Sequence, residues 1–424
     1  MFVGKIAGAA KEMAVAWRYG VSAEVDAYLF VFNLVSWPVA LWFSVLMVVL
    51  VPLAARIRQD TPADLPRFRS ELLGVSLLLG AVLTALVYVG LPFVLRSSWA
   101  GLPPGTEAIA IGMTPALTLL VPLGVVVALF SAWILAAGRH TNTLLEGVPA
   151  LVLLIAVLAF PGGGVAPLVW GTVAGVGLQL VSLSFPLARR AEIEAPSFER
   201  SSPQWPTFRQ GFGIMLVGQA LMSVLVIVDQ FFAAHIGTGA IAMLGYANRI
   251  LVLILGLGAT AVTRGTLPVF SEAQAQGGGQ LYRVALHWVR LLFVLGVAAA
   301  VVGWLLAPWA VELLFERGAF TARDTSTVIP ILRYGLAQLP FYFASLVLVS
   351  MVVSQRRYLV IAVIGALNLV TKIAANVASV PYFGVKGLML ATSVMLAMSC
   401  LFLSIAVFRN NNDRDAGARI AELS

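Results

Sequence analysis

Long stretches without charge recur along the chain, separated by short clusters of charged residues, glycine and proline. No charged residue lies between Asp26 and Arg56, and similar gaps follow further along the sequence. Each gap holds about 20 apolar residues, which is the helix length needed to cross a bilayer. The pattern therefore predicts an all-α polytopic membrane protein.

Twelve helices are predicted when proline, glycine and charge clusters are taken as their boundaries. The most polar connection lies between the sixth and seventh of them. The predicted helices are 2–19, 27–54, 71–95, 107–137, 143–160, 165–187, 209–234, 240–271, 284–315, 325–355, 358–380 and 385–408.

Matching residues at a shift of 216 to 220 positions indicate an internal duplication of six helices. Six is an even number, so both halves enter the membrane in the same orientation. We predict an N-terminal six-helix bundle at 1–190, a cytoplasmic linker at 191–208, a C-terminal bundle at 209–410 and a polar cytoplasmic tail at 411–424. The clearest matches pair Pro52 with Pro268, Pro92 with Pro308, Pro122 with Pro340 and Gly164 with Gly384.

Composition supports a membrane protein, because 60% of the 424 residues are hydrophobic and only 11% are charged. The net charge of +8 comes from short basic clusters between apolar spans, so nucleic acid is not an expected partner. Most of the arginines, among them Arg56, Arg58, Arg67 and Arg69, fall into alternate connections. The positive-inside rule then places both termini in the cytoplasm, with anionic inner-leaflet lipids as partners.

The chain lacks the sequence motifs of several common enzyme chemistries. Its only cysteine is Cys400, its three histidines are scattered, and it has no phosphate-binding loop, zinc-hydrolase motif or serine-hydrolase motif. We therefore expect no metal, no cofactor and no enzymatic activity. Transport would depend on a gradient or on the supply and consumption of the substrate.

Charged residues inside membrane spans are costly and mark an internal pathway by default. Arg249 lies eleven residues after Thr238, or roughly 17 Å into a core of roughly 30 Å. A guanidinium at that depth suits bidentate binding of phosphate oxygens, and the alternative is a structural ion pair with Asp229. A cationic cavity lined by Lys5, Lys11, Arg249 and Arg333 would suit a pyrophosphate headgroup, although Lys5 could instead snorkel to the interface.

Several segments resemble the MurJ (MviN) type of lipid II flippases, in the multidrug/oligosaccharidyl-lipid/polysaccharide exporter superfamily. The most specific is Phe315-Glu-Arg-Gly-Ala-Phe-Thr321, which is similar to the family motif between the ninth and tenth helices. Tyr246-Ala-Asn-Arg249 resembles the eighth helix, Lys11-Glu12 with Asp26-Ala-Tyr28 the first hairpin, and Gly384-Val-Lys-Gly-Leu388 the twelfth helix. The resemblance covers essentially the whole chain and implies two pseudo-symmetric six-helix bundles around a central cavity, with alternating access.

The resemblance also implies roles for individual residues. Arg249 and Asp26 match family positions important for handling the headgroup, whereas Lys5 and Lys11 stand where the family usually has arginines. Val39 replaces a further basic residue, and the final pair of helices common in the family does not follow the twelfth. These departures leave the glycan open between lipid II and a related polysaccharide repeat unit.

A second cluster resembles the cation site of some family members. Asp229, Lys372 and Thr392 lie at similar depths, roughly 13 to 15 Å from the neighbouring turns, and Asn368 is one turn from Lys372. In those members an acidic residue stands at the position of Lys372. The ammonium group would then occupy the place of a sodium ion and neutralise Asp229, or the two residues form a static ion pair.

The leading hypothesis is a flippase that moves a polyprenyl-pyrophosphate-linked glycan across the bacterial inner membrane. Two alternatives stay open. A multidrug or cation antiporter of the same superfamily would need a net acidic cavity, and this one is predicted to be basic. A membrane-integral glycan polymerase would need a catalytic acid or base, for which Glu24, Glu107, Glu316 and Asp324 are the candidates. The sequence does not determine the oligomeric state.

Overall fold

The computed structural model describes residues 2–139, 145–275, 278–355 and 357–422. These residues form helices and no strand. The helices are α1 (Phe2–Tyr19), α2 (Ala23–Asp60), α3 (Leu65–Arg96), α4 (Pro104–Leu117), α5 (Leu120–Ala136), α6 (Val148–Ala159), α7 (Ala166–Ala188), α8 (Trp205–Ile236), α9 (Ala240–Ala275), α10 (Gly278–Phe315), α11 (Ala322–Leu336), α12 (Leu339–Ser354), α13 (Tyr358–Phe383) and α14 (Val385–Glu422).

The all-α polytopic fold is confirmed, and each of the twelve predicted helices overlaps a helix or a helix pair. By length and composition, nine spans occur in the described residues, or ten when the bent pair α4 and α5 counts as one. The other two predicted spans are α1, which carries Lys5, Lys11 and Glu12, and α6, which has only 12 residues. Residues 143 and 144 of the fifth predicted helix lie outside the described residues, and the predicted polar tail is helical as far as Glu422.

Two predicted helices are each broken near the middle, and proline explains both breaks. The helices α4 and α5 meet at an angle of 49° around residues 118–119, and α11 gives way to α12 at residues 337–338. Pro122 and Pro340 lack the N–H that would bond to the carbonyl four residues earlier, at Thr118 and Leu336. These two prolines also match each other in the predicted duplication.

The chain divides into two compact units. Unit 1 comprises Met1–Ala242 with Phe315–Thr321, and unit 2 comprises Met243–Leu314 with Ala322–Ser424. Helix α8 thus packs within unit 1, where its main neighbour is α2. The division into two six-helix bundles around a cavity stays a prediction drawn from the sequence.

The segment Phe315–Thr321 belongs to unit 1 because it packs against the end of α1. The N–H of Ala319 donates to the carbonyl of Trp17 over 2.7 Å. Gly20 and Gly318 both have positive φ, at +54° and +60°, and a Cβ on either would collide with backbone of the other segment. The most family-specific motif in the sequence is therefore a packing motif, since glycine alone fits both positions.

Aromatic side chains form the centre of the core of unit 1 where α2, α3, α5 and α8 meet. Phe68 is fully buried, and its ring makes edge contacts with Trp133, Trp205 and Phe208 at centroid distances of 5.7 to 6.2 Å. Such contacts contribute beyond the apolar area that the rings bury. The start of α8 is consequently fixed against α3 and α5.

The connector between α7 and α8 is attached to α3 by one carboxylate. Glu71 is 1% exposed and accepts hydrogen bonds from the N–H groups of Ser201 and Ser202 and from the indole N–H of Trp205, the last over 2.6 Å. Arg67, one turn earlier on α3, lies 3.2 Å from the same carboxylate. One buried side chain thus satisfies most of the donors at the point where the connector enters α8.

The same connector is also attached to the end of α5. Arg139 donates to both carboxylate oxygens of Glu192, one of them over 2.9 Å. Burial raises the pKa of Glu192, but the hydrogen bonds from Arg139 and the charge of Arg69 outweigh it, so the pKa lies below its usual value. The ion pair therefore stabilises the fold near neutral pH and weakens when acid protonates the carboxylate.

We predict that replacing Glu71 with glutamine detaches the connector. The amide side chain keeps one acceptor oxygen and adds two donors, so at least one buried N–H of Ser202 or Trp205 loses its partner. The expected cost is about 3 kcal/mol of unfolding free energy. Thermal unfolding in detergent and limited proteolysis of residues 189–204 measure the effect. Glu199→Gln, an exposed change in the same connector, is the control; equal stability of the two variants would contradict the assigned role.

Candidate functional site

Helix α1 places its charged residues at two different levels of exposure. Lys5 is exposed, whereas Lys11 is half-buried and forms an ion pair with Glu12 at 2.8 Å. The close approach of Gly4 to Gly147 explains why α1 packs tightly beside α6, since a Cβ on Gly147 would lie 2.8 Å from the Cα of Gly4. Of the two lysines predicted to line the cavity, only Lys5 is therefore exposed.

Asp26 lies in the first turn of α2 and is 1% exposed. Its carboxylate accepts the N–H of Gly239 and, over 2.7 Å, the N–H of Ala242. These donors belong to the start of α9, where a helix has N–H groups without partners of its own. Asp26 thus caps α9 from a distant helix, and its oxygens are committed to the backbone.

Arg249 stands on α9, nine residues after its first residue, or about 14 Å along the helix axis. Its side chain is exposed, while Tyr246, one turn earlier, is buried. Asp26 caps the first turn of the helix that carries Arg249. The two residues that the resemblance linked to the headgroup are therefore linked through one helix.

Arg333 is half-buried at the end of α11 and packs on Trp304. Its Nε donates to the carbonyl of Trp304 over 3.2 Å, and its guanidinium lies 4.0 Å from the centre of the indole ring. This cation–π contact stabilises the packing of α11 against α10. An anion would have to bind through the Nη groups.

Lys372 is the most deeply buried of the predicted basic residues, at 1% exposure. Its Nζ donates to the carbonyl of Leu388 over 3.0 Å and to the hydroxyl of Thr392, both on α14. Asn368, one turn earlier on α13, donates to Ser399 over 3.2 Å. The structure therefore brings Lys372 and Thr392 together between α13 and α14.

Further polar residues extend this contact into a buried stripe along one face of α13. Asn376 is fully buried, and Ser379 donates to the carbonyl of Gly387 over 2.9 Å. Asp229, the predicted partner of Lys372, is half-buried on α8 in unit 1. The pairing of Asp229 with Lys372 stays a prediction.

Sequence reasoning missed several residues with structural roles. Glu71 could have been noticed through its i,i+4 spacing from Arg67, a common helix ion pair. Arg69, 7% exposed with its guanidinium 5.3 Å from the centre of the Trp133 ring, left no comparable signal. In the described part of the chain, no three His, Cys, Asp or Glu side chains are grouped to hold a metal ion.

Comparison with known proteins identifies the family. The family model described as "Lipid II flippase MurJ" matches residues 15–416. A "Probable lipid II flippase MurJ" from Buchnera aphidicola is 22% identical over 82% of this chain and 70% of its own length. The "Lipid II flippase MurJ" of Burkholderia cenocepacia is 22% identical over 96% and 81%. A relative from Bdellovibrio bacteriovorus is 25% identical over 61% of this chain, but over only 51% of its own length.

Solved structures share the fold. A lipid II flippase MurJ in an inward closed conformation has a TM-score of 0.82 and 20% identity, covering 96% of this chain and 86% of that chain. An inward-facing multidrug resistance MATE family transporter has a TM-score of 0.75 and 17% identity, covering 97% and 95%. At these identities the likeness describes the fold alone. The match of the family model over nearly the whole sequence shows that this chain belongs to the MurJ family of lipid II flippases.

Proposed function

We propose that this protein is a flippase that translocates a polyprenyl-pyrophosphate-linked glycan, lipid II or a related polysaccharide repeat unit, across the bacterial inner membrane by alternating access. The family match over residues 15–416 carries the proposal. The polytopic helical fold and the exposed basic residues of α1 and α9 support it. No cofactor and no enzymatic step enter this function.

Arg249 is the proposed pyrophosphate ligand. Its planar guanidinium can donate two parallel hydrogen bonds to phosphate oxygens, and these bonds are strong because both partners are charged. Lys5 and Lys11 supply a less directional attraction, since an ammonium group acts as a point charge. Arg333 would contribute only through its Nη groups, and Asp26 acts by fixing α9.

The charge of these residues argues against a cation antiporter, although the MATE fold is similar. An antiporter for organic cations needs an available carboxylate, and both oxygens of Asp26 are occupied by backbone N–H groups. The carboxylate of Glu12 is likewise occupied, because it forms an ion pair with Lys11. The exposed charges of Lys5 on α1 and Arg249 on α9 are positive and suit an anion.

The proposed orientation places both termini and the connector between α7 and α8 in the cytoplasm. The basic residues of that connector would then face anionic inner-leaflet lipids. Lys372 is proposed to replace a bound sodium ion, because a lysine brings a permanent positive charge to the α13–α14 contact. Asp229 is its proposed counter-charge.

We predict that Arg249→Ala lowers transport of lipid II by roughly a hundredfold or more, because two charge-assisted hydrogen bonds of about 1.5 kcal/mol or more each are lost. Complementation of a conditional lipid II flippase mutant and a vesicle assay of headgroup accessibility measure it. Arg323→Ala, which also removes one exposed arginine of unit 2, is the control. Asp26→Asn should lower both transport and thermal stability, because it weakens the cap of α9. Normal transport by Arg249→Ala would exclude this role.

We predict that Lys5→Gln together with Lys11→Gln weakens capture of the substrate. The same pair changed to arginine should keep it, since the charge is retained. The matched control is Lys11→Gln with Glu12→Gln, which removes the ion pair without changing the net charge. The substrate concentration at half-maximal transport is the measurement. If the Gln pair transports like the parent, both lysines serve only to anchor α1 at the interface.

We predict that Asp229→Asn destabilises the protein by about 3 to 5 kcal/mol, because it removes the proposed counter-charge of the buried Lys372, and that Lys372→Met costs less, because Asp229 is only half-buried. The double variant should be less destabilised than the sum of the two, and thermal unfolding of all four proteins measures this coupling. Lys372→Asp should make transport dependent on sodium. Strict additivity of the single changes would refute the pair, and sodium independence of Lys372→Asp would refute the replacement of an ion.

A further inference from the structure

An apolar slot opens in unit 1 where α2, α3 and α8 meet. Its volume is about 290 Å³. Trp42 of α2, Val75 and Leu79 of α3 and Phe212 of α8 form its apolar wall, and Arg200 and Arg209 also line it. The slot therefore combines a hydrophobic surface with two positive charges.

The wall of the slot is held in place before any ligand binds. Trp205 donates to the buried Glu71 over 2.6 Å, and its ring contacts Phe208 at 5.7 Å. Phe208 lies 5.7 Å from Phe212, which in turn contacts Trp42 at 5.6 Å. This chain of rings prevents the slot from collapsing, so little conformational entropy of the protein is lost when a ligand binds.

The two arginines are available to an anion. Arg200 in the connector and Arg209 in the second turn of α8 are both exposed. Within the described part of the chain, neither guanidinium has a carboxylate at salt-bridge distance. Two guanidinium groups beside one cavity favour a phosphate group, which each can bind through two hydrogen bonds.

Trp42 provides an independent indication of a missing ligand. The residue is 5% exposed, and its indole N–H has no hydrogen-bond partner among the described residues. A buried indole N–H normally finds an acceptor. A ligand in the slot that carries an ester carbonyl could supply one.

The location within the spans fits a lipid. Val75 and Leu79 lie ten and fourteen residues after the first residue of α3, or about 15 and 21 Å along it, inside a candidate span. Arg200 and Arg209 lie instead in the connector and near the start of α8. An occupant would thus meet charge at one end and apolar side chains at the other.

We propose that this slot binds an anionic glycerophospholipid, with its phosphate on Arg200 and Arg209 and one acyl chain against Trp42, Leu79 and Phe212. The inference rests on the membrane orientation of the proposed function, and not on the glycan that is moved. The lipid belongs to the leaflet that faces the connector. It fastens the connector to the membrane beside Glu71.

Native mass spectrometry of the purified full chain with added phosphatidylglycerol tests the site. Arg200→Gln with Arg209→Gln should weaken retention of this lipid roughly 25-fold, because two basic contacts are removed. Arg189→Gln with Arg190→Gln removes the same amount of charge at the start of the connector, outside the slot, and should have little effect. Transport is measured on the same variants, so that a failure to bind the phospholipid can be distinguished from a failure to translocate the substrate.

A second pair of variants tests the apolar part without changing charge. Leu79→Trp fills the slot and should abolish retention, whereas Leu78→Trp, next to it and 50% exposed outside the slot, should not. Phosphatidylethanolamine should bind more weakly than phosphatidylglycerol. Equal loss in both arginine pairs, equal retention of the two lipids, or displacement of phosphatidylglycerol by undecaprenyl phosphate or by inorganic phosphate would overturn the proposal.

Discussion

Two buried carboxylates hold the backbone on either side of α8, and much of unit 1 depends on them. Glu71 of α3 binds the N–H groups just before α8, and Asp26 of α2 binds those just after it, at the start of α9. Both carboxylates are 1% exposed, and buried backbone N–H groups need an acceptor because an unsatisfied one costs free energy. Helix α8, which begins the predicted second repeat, is therefore attached at both ends to helices of the predicted first repeat.

This attachment gives the connector a structural function. A loop of 16 residues at 189–204 with several charges would be expected to be loosely held, yet Glu71, Arg139 and Ser70 bind it at successive points. Gly74 allows the closest approach, since a Cβ there would collide with the carbonyl of Ser197. Movement of α8 relative to α3 would thus require breaking buried hydrogen bonds. The position of α8 is consequently well defined within unit 1.

The helices could be predicted from the sequence because uncharged length is a local signal that the bilayer enforces. The breaks near Pro122 and Pro340 follow from local chemistry as well, although continuous helices were predicted there. The roles of Asp26 and Glu71 could not be predicted, since the backbone groups that they bind lie at least 213 and 130 positions away, respectively. The resemblance marked Asp26 as important, but a position can be important for capping as readily as for binding.

The basic residues likewise differ in whether they hold the fold together or are exposed. Lys372 donates to α14, and Arg333 packs on Trp304, so burial and partners limit what either can offer to a substrate. Arg249 and Lys5 are exposed instead. The depth of a residue along a helix, which can be counted from the sequence, does not distinguish these cases. The direction of the side chain distinguishes them, and it follows from the packing of helices that are distant in sequence.

The proposed role of Lys372 in the α13–α14 contact has a consequence for how transport is driven. A bound sodium ion can leave and return, and its gradient can therefore supply free energy to each cycle. The ammonium of Lys372 is covalently fixed and held by Leu388 and Thr392, so it cannot be exchanged between the two sides. If Lys372 replaces an exchangeable cation, as proposed, a gradient of that cation cannot act at this position, and the free energy of each cycle has to enter elsewhere.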